Sequence, residues 1–340
     1  MFSDGGILKM DTELTKQHGF TLIELMISLV LGLLISAIAL QLFLTSQRSA
    51  TTQQGMMNLQ NTTLFGMGEV VNHLRIANLN ASLPFIDDTV LYGGVVLAPN
   101  NISANLANFS IDENLLTRGS IGPSNLVGVQ SDQLVIQYKV NTPNQFDCEG
   151  KGLTASDYVV ERYFLRTDTN RNDPNQPLAL ACKATRYTEA TAKTNTTLNG
   201  LDTDGEILIP RVDHFSVRLG VAYDGANTAC TAVTQEVMNG TPPVKTTENI
   251  KPDARLDCFS YMNIEDYRTL TGKKPQIVSI QIGVLARSTD TVGNNQFFDA
   301  AQDYSVLNVK AKLTAHVRNK LYLRNIVTQT IAIRNGFGIE

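Results

Sequence analysis

From Phe20 to Leu44 the chain reads FTLIELMISLVLGLLISAIALQLFL, twenty-five residues with Glu24 as the single charge and no proline. At about 1.5 Å per residue this stretch makes a helix roughly 37 Å long, enough to cross a hydrocarbon core of about 30 Å. Polar residues from Thr45 to Gln54 mark its exit. Beyond them Met57, Leu64, Met67, Val71 and Leu74 fall mostly three or four residues apart, which predicts one apolar helical face continuing to about Asn78, with Pro84 forbidding much further extension. Gly55, Gly66 and Gly68 weaken this stretch by about 1 kcal/mol each relative to alanine, so packing against a sheet must hold it.

After the helix the period changes to two. Ser131 to Val140, Asp157 to Arg166, Pro177 to Tyr187, His214 to Tyr223 and Gln276 to Arg287 alternate apolar with polar residues and are rich in Val, Ile and Tyr, which predicts antiparallel strands. TDTNRNDPNQP, TAKTNTTLNG and NGTPPVKT separate them as loops and turns. Within Asn80 to Gly128 a strand is expected in TVLYGGVVLAP, the Asn-rich remainder being loop. HVRNKLYLRNIVTQTIAIRN is expected to open as a short helix, with VTQTIAIRN closing the sheet.

Composition moves the reading away from the cytosol. Charged residues make up 18% of the 340, against about 25% in an average domain, and Asn, Thr, Gln and Ser fill the shortfall, as suits an exported surface. The formal charge of 28 − 32 = −4, with basic residues not clustered among aromatics, gives no footprint for direct nucleic-acid binding. Lys9 and Lys16 precede the apolar run and only Arg48 follows it closely, a bias that leaves the N-terminus cytoplasmic and exports the rest. TSQRSATTQQG, after the run, is a poor match to a secretory cleavage site.

The polar leader ends instead at Gly19, followed at once by FTLIELM. These residues resemble the prepilin signature of type IV pilins and type II secretion pseudopilins. The resemblance implies that a prepilin peptidase cuts between Gly19 and Phe20 and that Phe20 is N-methylated. Glu24 then acquires a physical role: a lone carboxylate in an apolar helix costs about 2.5 to 3.5 kcal/mol at mid-membrane, and cleavage creates a cationic amine able to neutralise it. In a stack of subunits the amine of an incoming chain meets Glu24 of a neighbour, and low dielectric makes the pairing register-setting. A simple membrane anchor with one misplaced acid is the alternative.

Cys148, Cys182, Cys230 and Cys258 all lie in the part expected to be exported, where an even number favours disulfides, and none forms a CxxC pair. Of three possible pairings, Cys148–Cys182 with Cys230–Cys258 is expected because each bridge ties a polar loop to the strand framework. Loops of about 30 residues contribute roughly 3.5 kcal/mol apiece by chain-entropy arithmetic. Four buried free thiols are the alternative.

Catalytic and metal motifs are missing from the sequence. His18, His73, His214 and His316 are scattered, and there is no HExxH, GxSxG, Walker loop or dinucleotide fingerprint. Asp168, Asn170 and Asn172 have alternating oxygen-ligand spacing, and Asp202-Thr203-Asp204-Gly205-Glu206 resembles half of a calcium loop. Their twelfth positions are Ala179 and Asp213, so neither completes an EF-hand, and turn chemistry explains both. No catalytic residue, cofactor or metal is assigned.

The size of the exported part, the SDQLVIQY strand, the cysteine pair, the strand ending GVLARS and the final TIAIRN resemble the PilW-type minor pilins. The resemblance implies an α+β, pilin-like fold: a long N-terminal transmembrane helix packed on a C-terminal antiparallel β-sheet domain with long loops. Residues 1–19 would be the cleaved leader, 20–79 the helix, membrane-spanning to about residue 44, and 80–340 the exported domain. By the same resemblance the chain is a non-enzymatic subunit of the tip complex that primes type IV pilus assembly, beneath a PilY-type adhesin. It would serve twitching motility, adhesion or DNA uptake. Its partners would be other minor pilins, the major pilin, the prepilin peptidase and the inner-membrane assembly platform, its location the bacterial inner membrane and then the pilus tip. Retention of Glu24 fits a subunit that docks with a neighbour's N-terminus. The alternatives are a J-type minor pseudopilin of type II secretion and, from another class, a membrane-tethered periplasmic hydrolase with an uncleaved leader.

Overall fold

The computed structural model describes residues 19–142, 144–169, 177–194, 197–225, 232–237, 244–249, 255–291, 302–318 and 321–336. One continuous helix, α1, runs Leu22–Arg75. Every residue of it up to Ala50 is exposed, and by length and composition this part can cross a membrane. Contacts divide the chain into two compact units, one ending at Thr51 and one beginning at Thr52, so the second unit includes the last turns of α1.

In that second unit the buried face of α1 is Gly55, Leu59, Thr63, Gly66, Met67, Val70, His73 and Leu74. This corrects the face expected from apolar spacing: Met67 and Leu74 belong to it, but Met57 and Leu64 are both 61% exposed and Val71 is only half-buried. The reason is close approach. A Cβ on Gly66 would lie 2.7 Å from the Leu208 carbonyl oxygen and collide with the Ile209 side chain, so the buried face is the one whose small residues permit close approach, with Leu59, Met67 and Leu74 beside them. The helix also ends at Arg75, short of Asn78. Asn78 has φ +62°, and its N–H donates to the Gln137 carbonyl at 3.0 Å, so sheet bonding replaces the next helical turn.

Among the described residues, thirteen strands and three short α-helices follow. In chain order they are β1 (Arg118–Gly122), β2 (Ser131–Lys139), β3 (Tyr158–Thr167), β4 (Leu178–Tyr187), α2 (Glu189–Thr194), β5 (Glu206–Ile209), β6 (Val212–Tyr223), β7 (Ala232–Val237), β8 (Val244–Asn249), β9 (Cys258–Asn263), α3 (Ile264–Thr269), β10 (Gln276–Thr291), β11 (Asp303–Val306), β12 (Val309–Lys312), α4 (Ala315–Arg318) and β13 (Tyr322–Ala332). The fold is α+β, and all strand pairs are antiparallel. One sheet has the order β1-β2-β3-β4-β5 and a second β13-β10-β6-β9, beside the hairpins β7-β8 and β11-β12. The five expected strands correspond to β2, β3, β4, β6 and β10, and the C-terminal segment supplies α4 and the edge strand β13.

The helix and both sheets share one core. Leu59, Met67, Val70 and Leu74 of α1 join Tyr163 and Leu165 of β3, Leu180 of β4, Phe215 and Leu219 of β6 and Ile280 of β10. Registers such as Leu134↔Tyr163 and Ile280↔Ile331 keep these residues on the inner faces, and a slip of one residue would turn each strand's apolar set outward.

The segment before β1 contains no strand at TVLYGGVVLAP, which corrects the expectation there: only an isolated bridge, Val95↔Ile136, forms. Tyr92 has φ +63°, and a Cβ on Gly94 would overlap Asn78, so the chain bends instead of pairing. The bend carries Tyr92, Val96, Ile102 and Phe109 against Val135, Tyr158, Val160 and Tyr187, a second core on the opposite side of the first sheet. Buried Asn101 organises this cover. Its side-chain oxygen accepts from the N–H groups of Leu97 and Ala98 at 2.9 and 3.0 Å, and its amide donates to the carbonyls of Asp87 and Val90 at 3.0 and 2.9 Å. With both faces covered, β3 is buried at nearly every position.

Candidate functional site

The helix start positions the residues singled out by the sequence. Gly19 and Phe20 precede α1 in exposed, non-helical backbone, and the Phe20 side chain is 89% exposed. Thr21 is the N-cap. Its N–H donates to Glu24 Oε2 at 3.0 Å, its hydroxyl reaches the same oxygen at 3.0 Å, and the Glu24 N–H donates to the threonine hydroxyl at 3.3 Å. This reciprocal arrangement is a capping box, in which N-cap and third-position side chains satisfy each other's orphan N–H groups. The carboxylate also lies at the positive end of the helix dipole, worth about 0.3 to 1 kcal/mol.

An N-terminal amine generated at Phe20 would stand one residue from the cap and four from this carboxylate in sequence. The geometry therefore gathers an accessible peptide bond, the helix start and the one acid of the apolar run into a single turn. The capping role of Thr21 was missed on sequence, although Thr-x-x-Glu before an apolar run is its signal.

Cys148, in the loop between β2 and β3, is bridged to Cys182 of β4, with the Cα atoms 6.1 Å apart. Ion pairs flank the bridge on both sides. Asp147 accepts from Arg186 at 2.7 Å, and Glu149 accepts from Lys183 at 3.0 Å. Burial pushes the Glu149 carboxyl up, but its bonds to Lys183, Lys151 and the Ala184 N–H outweigh this and hold it below the usual range. Cys258 is also disulfide-bonded, and Cys230 lies outside the described residues.

The other candidates are dispersed. His18, Asn170 and Asn172 lie outside the described residues. His214 is buried, its Nδ1 2.9 Å from the Ser124 hydroxyl, and burial lowers its pKa to about 4. His73 packs against the first sheet, and His316 is exposed on α4. Among the described residues no three His, Cys, Asp or Glu side chains converge as metal ligands. A cleft of about 310 Å³ is lined by Asp157, Arg186, Thr188, Thr191 and Asn199 among others. Its guanidinium is committed to Asp147 and to the Gly152 carbonyl.

Comparison with known proteins adds two family matches. The prokaryotic N-terminal methylation motif matches residues 14–40, and the family described as type IV pilus-assembly protein W matches residues 162–335. No curated protein sequence matches significantly. Among solved structures, a type IV-like pilin from Thermus thermophilus aligns over 63% of this chain and 80% of its own, at 12% identity and a TM-score of 0.29.

Proposed function

The chain belongs to the type IV pilus-assembly protein W family, the PilW-type minor pilins, and from that premise we propose that it is a structural subunit of the complex that primes pilus polymerisation and caps the fibre tip. The chain enters the inner membrane through the apolar half of α1, N-terminus inside. The prepilin peptidase cuts at Gly19–Phe20 and methylates Phe20, and Glu24 docks the subunit onto a neighbour's new terminus. Other minor pilins and the major pilin are its fibre partners, and a PilY-type adhesin sits above it.

The observation that carries this reading is the turn Gly19 to Glu24. An exposed bond is followed by the sole acid of an apolar span, held at the helix start by Thr21. The family points to a structural, non-enzymatic part.

Mass spectrometry of the protein isolated from sheared fibres or membranes tests it. The expected N-terminus is methylated Phe20, whereas a chain beginning at Met1 overturns the reading. Gly19→Val should leave full-length precursor in the inner membrane, because the peptidase must accommodate the residue beside the scissile bond; normal-sized product from that variant refutes the cut site.

A further inference from the structure

Glu161 of β3 is a carboxylate with no exposed surface, set where α1 meets the first sheet. Its Oε1 accepts from the Tyr138 hydroxyl of β2 at 2.9 Å and from the Cys148 N–H at 2.9 Å, and its Oε2 accepts from the Tyr163 hydroxyl at 2.8 Å. Opposite, in the last turn of α1, His73 places Nδ1 3.0 Å from Glu161 Oε1 and Nε2 3.1 Å from Glu69 Oε1. Both ring nitrogens thus face oxygens that can only accept, and a neutral imidazole has one N–H to offer. Only the imidazolium serves both. The Nδ1 contact lies off the hydrogen-bond axis, so its gain is coulombic, a form of attraction that needs no alignment.

We propose that His73 and Glu161 form a proton-gated latch, in which the imidazolium ties the end of α1 to the first sheet and the disulfide-bonded Cys148 loop, and loss of the proton loosens the chain that follows the helix. Leu59, Met67, Val70 and Leu74 keep the helix itself in the core whatever the charge on His73. The segment released is the one after it, where Ile76 and Leu79 pack against Tyr138 and Val140. The charged groups acting on the ring are Glu69 from α1 and Glu161 from β3; Tyr163 of β3 and Tyr138 of β2 bond Glu161 behind it, and Asp147 and Arg186 act on Tyr138.

Burial alone pulls the His73 pKa down, but the two carboxylates outweigh it and hold the ring above the ordinary histidine value. A group with a raised folded-state value contributes its stability in full below the ordinary value of about 6.5 and loses it as pH climbs through the raised one. The latch therefore closes towards acid and opens towards alkali. The inference is independent of the assembly role, since all of its groups lie in the unit beginning at Thr52.

Hydrogen exchange of the full-length chain in detergent micelles tests the latch at about pH 6 and about pH 9, on either side of the histidine range, after correction for intrinsic rates. In the wild type, amides of residues 73–80 and 145–150 should lose about tenfold in protection at the higher pH. His73→Gln, which can donate to Glu161 but cannot titrate, should show equal protection at both. A tenfold loss that persists in His73→Gln, or none in the wild type, overturns the proposal. If that variant does not fold, an NMR titration of the His73 ring in the wild type decides: a midpoint at or below the ordinary histidine value rules the latch out, and one above it that falls in Glu161→Gln supports it.

Discussion

Glu24 is occupied in the isolated chain by its own helix end, two contacts to Thr21 standing where an intermolecular partner is proposed. An apolar helix that must wait in a membrane is thereby spared a bare carboxylate, and the capping box is worth about 1 kcal/mol to the helix start. The proposed docking amine would compete only with exposed, local hydrogen bonds, so exchange would need no unfolding. Glu24→Ala is accordingly expected to be processed at the same site yet to be several-fold depleted from sheared fibres relative to membranes, as measured by quantitative immunoblotting. Unchanged fibre content counts against the docking role. Gly19, Phe20 and Glu24 can be proposed without coordinates, because a short motif in one turn depends on neighbours in sequence alone. The buried carboxylate of Glu161 cannot, since its four partners come from α1, β2, β3 and a loop.

At the scale of elements, α1 carries two candidate faces in its last turns, and packing chose between them. The chosen face includes Gly66, pressed on β5, whereas Gly68 has nothing within 4 Å of a Cβ position. The two glycines should respond oppositely to the same change. Gly66→Ala is expected to destabilise by about 1 to 3 kcal/mol through overpacking, although alanine is the better helix former. Gly68→Ala should stabilise by up to about 1 kcal/mol. Urea denaturation in detergent, followed by circular dichroism, distinguishes them, and equal effects would discount the helix–sheet approach. Alternation identified β2, β3, β4, β6 and β10 correctly because period two survives wherever one face is apolar. It erred at TVLYGGVVLAP, an apolar run that serves as cover for a sheet, where Asn101 and Gln137 side chains bond the Val90 and Gly93 carbonyls and backbone pairing with β2 is confined to one bridge.

Across the whole molecule, the bridge between Cys148 and Cys182 closes a loop of 34 residues and also fixes the N–H that holds Glu161. Cys182→Ala should cost roughly 3.5 kcal/mol on chain-entropy grounds, read as a lower urea midpoint, with a further cost from disturbing the carboxylate. A midpoint shift below about 1 kcal/mol equivalent would show that the flanking pairs Asp147–Arg186 and Glu149–Lys183 hold the loop unaided. The amino-acid order was enough for the membrane-length helix, the acid within it, the antiparallel alternation and the even cysteine count, since each depends on spacing or composition. Tertiary structure alone decided which face of α1 is buried, that an Asn-rich segment roofs a sheet, and that His73 meets Glu161 some ninety positions away. Those outcomes arise when surfaces distant in sequence compete for the same space and the same hydrogen bonds, a contest that no local pattern encodes.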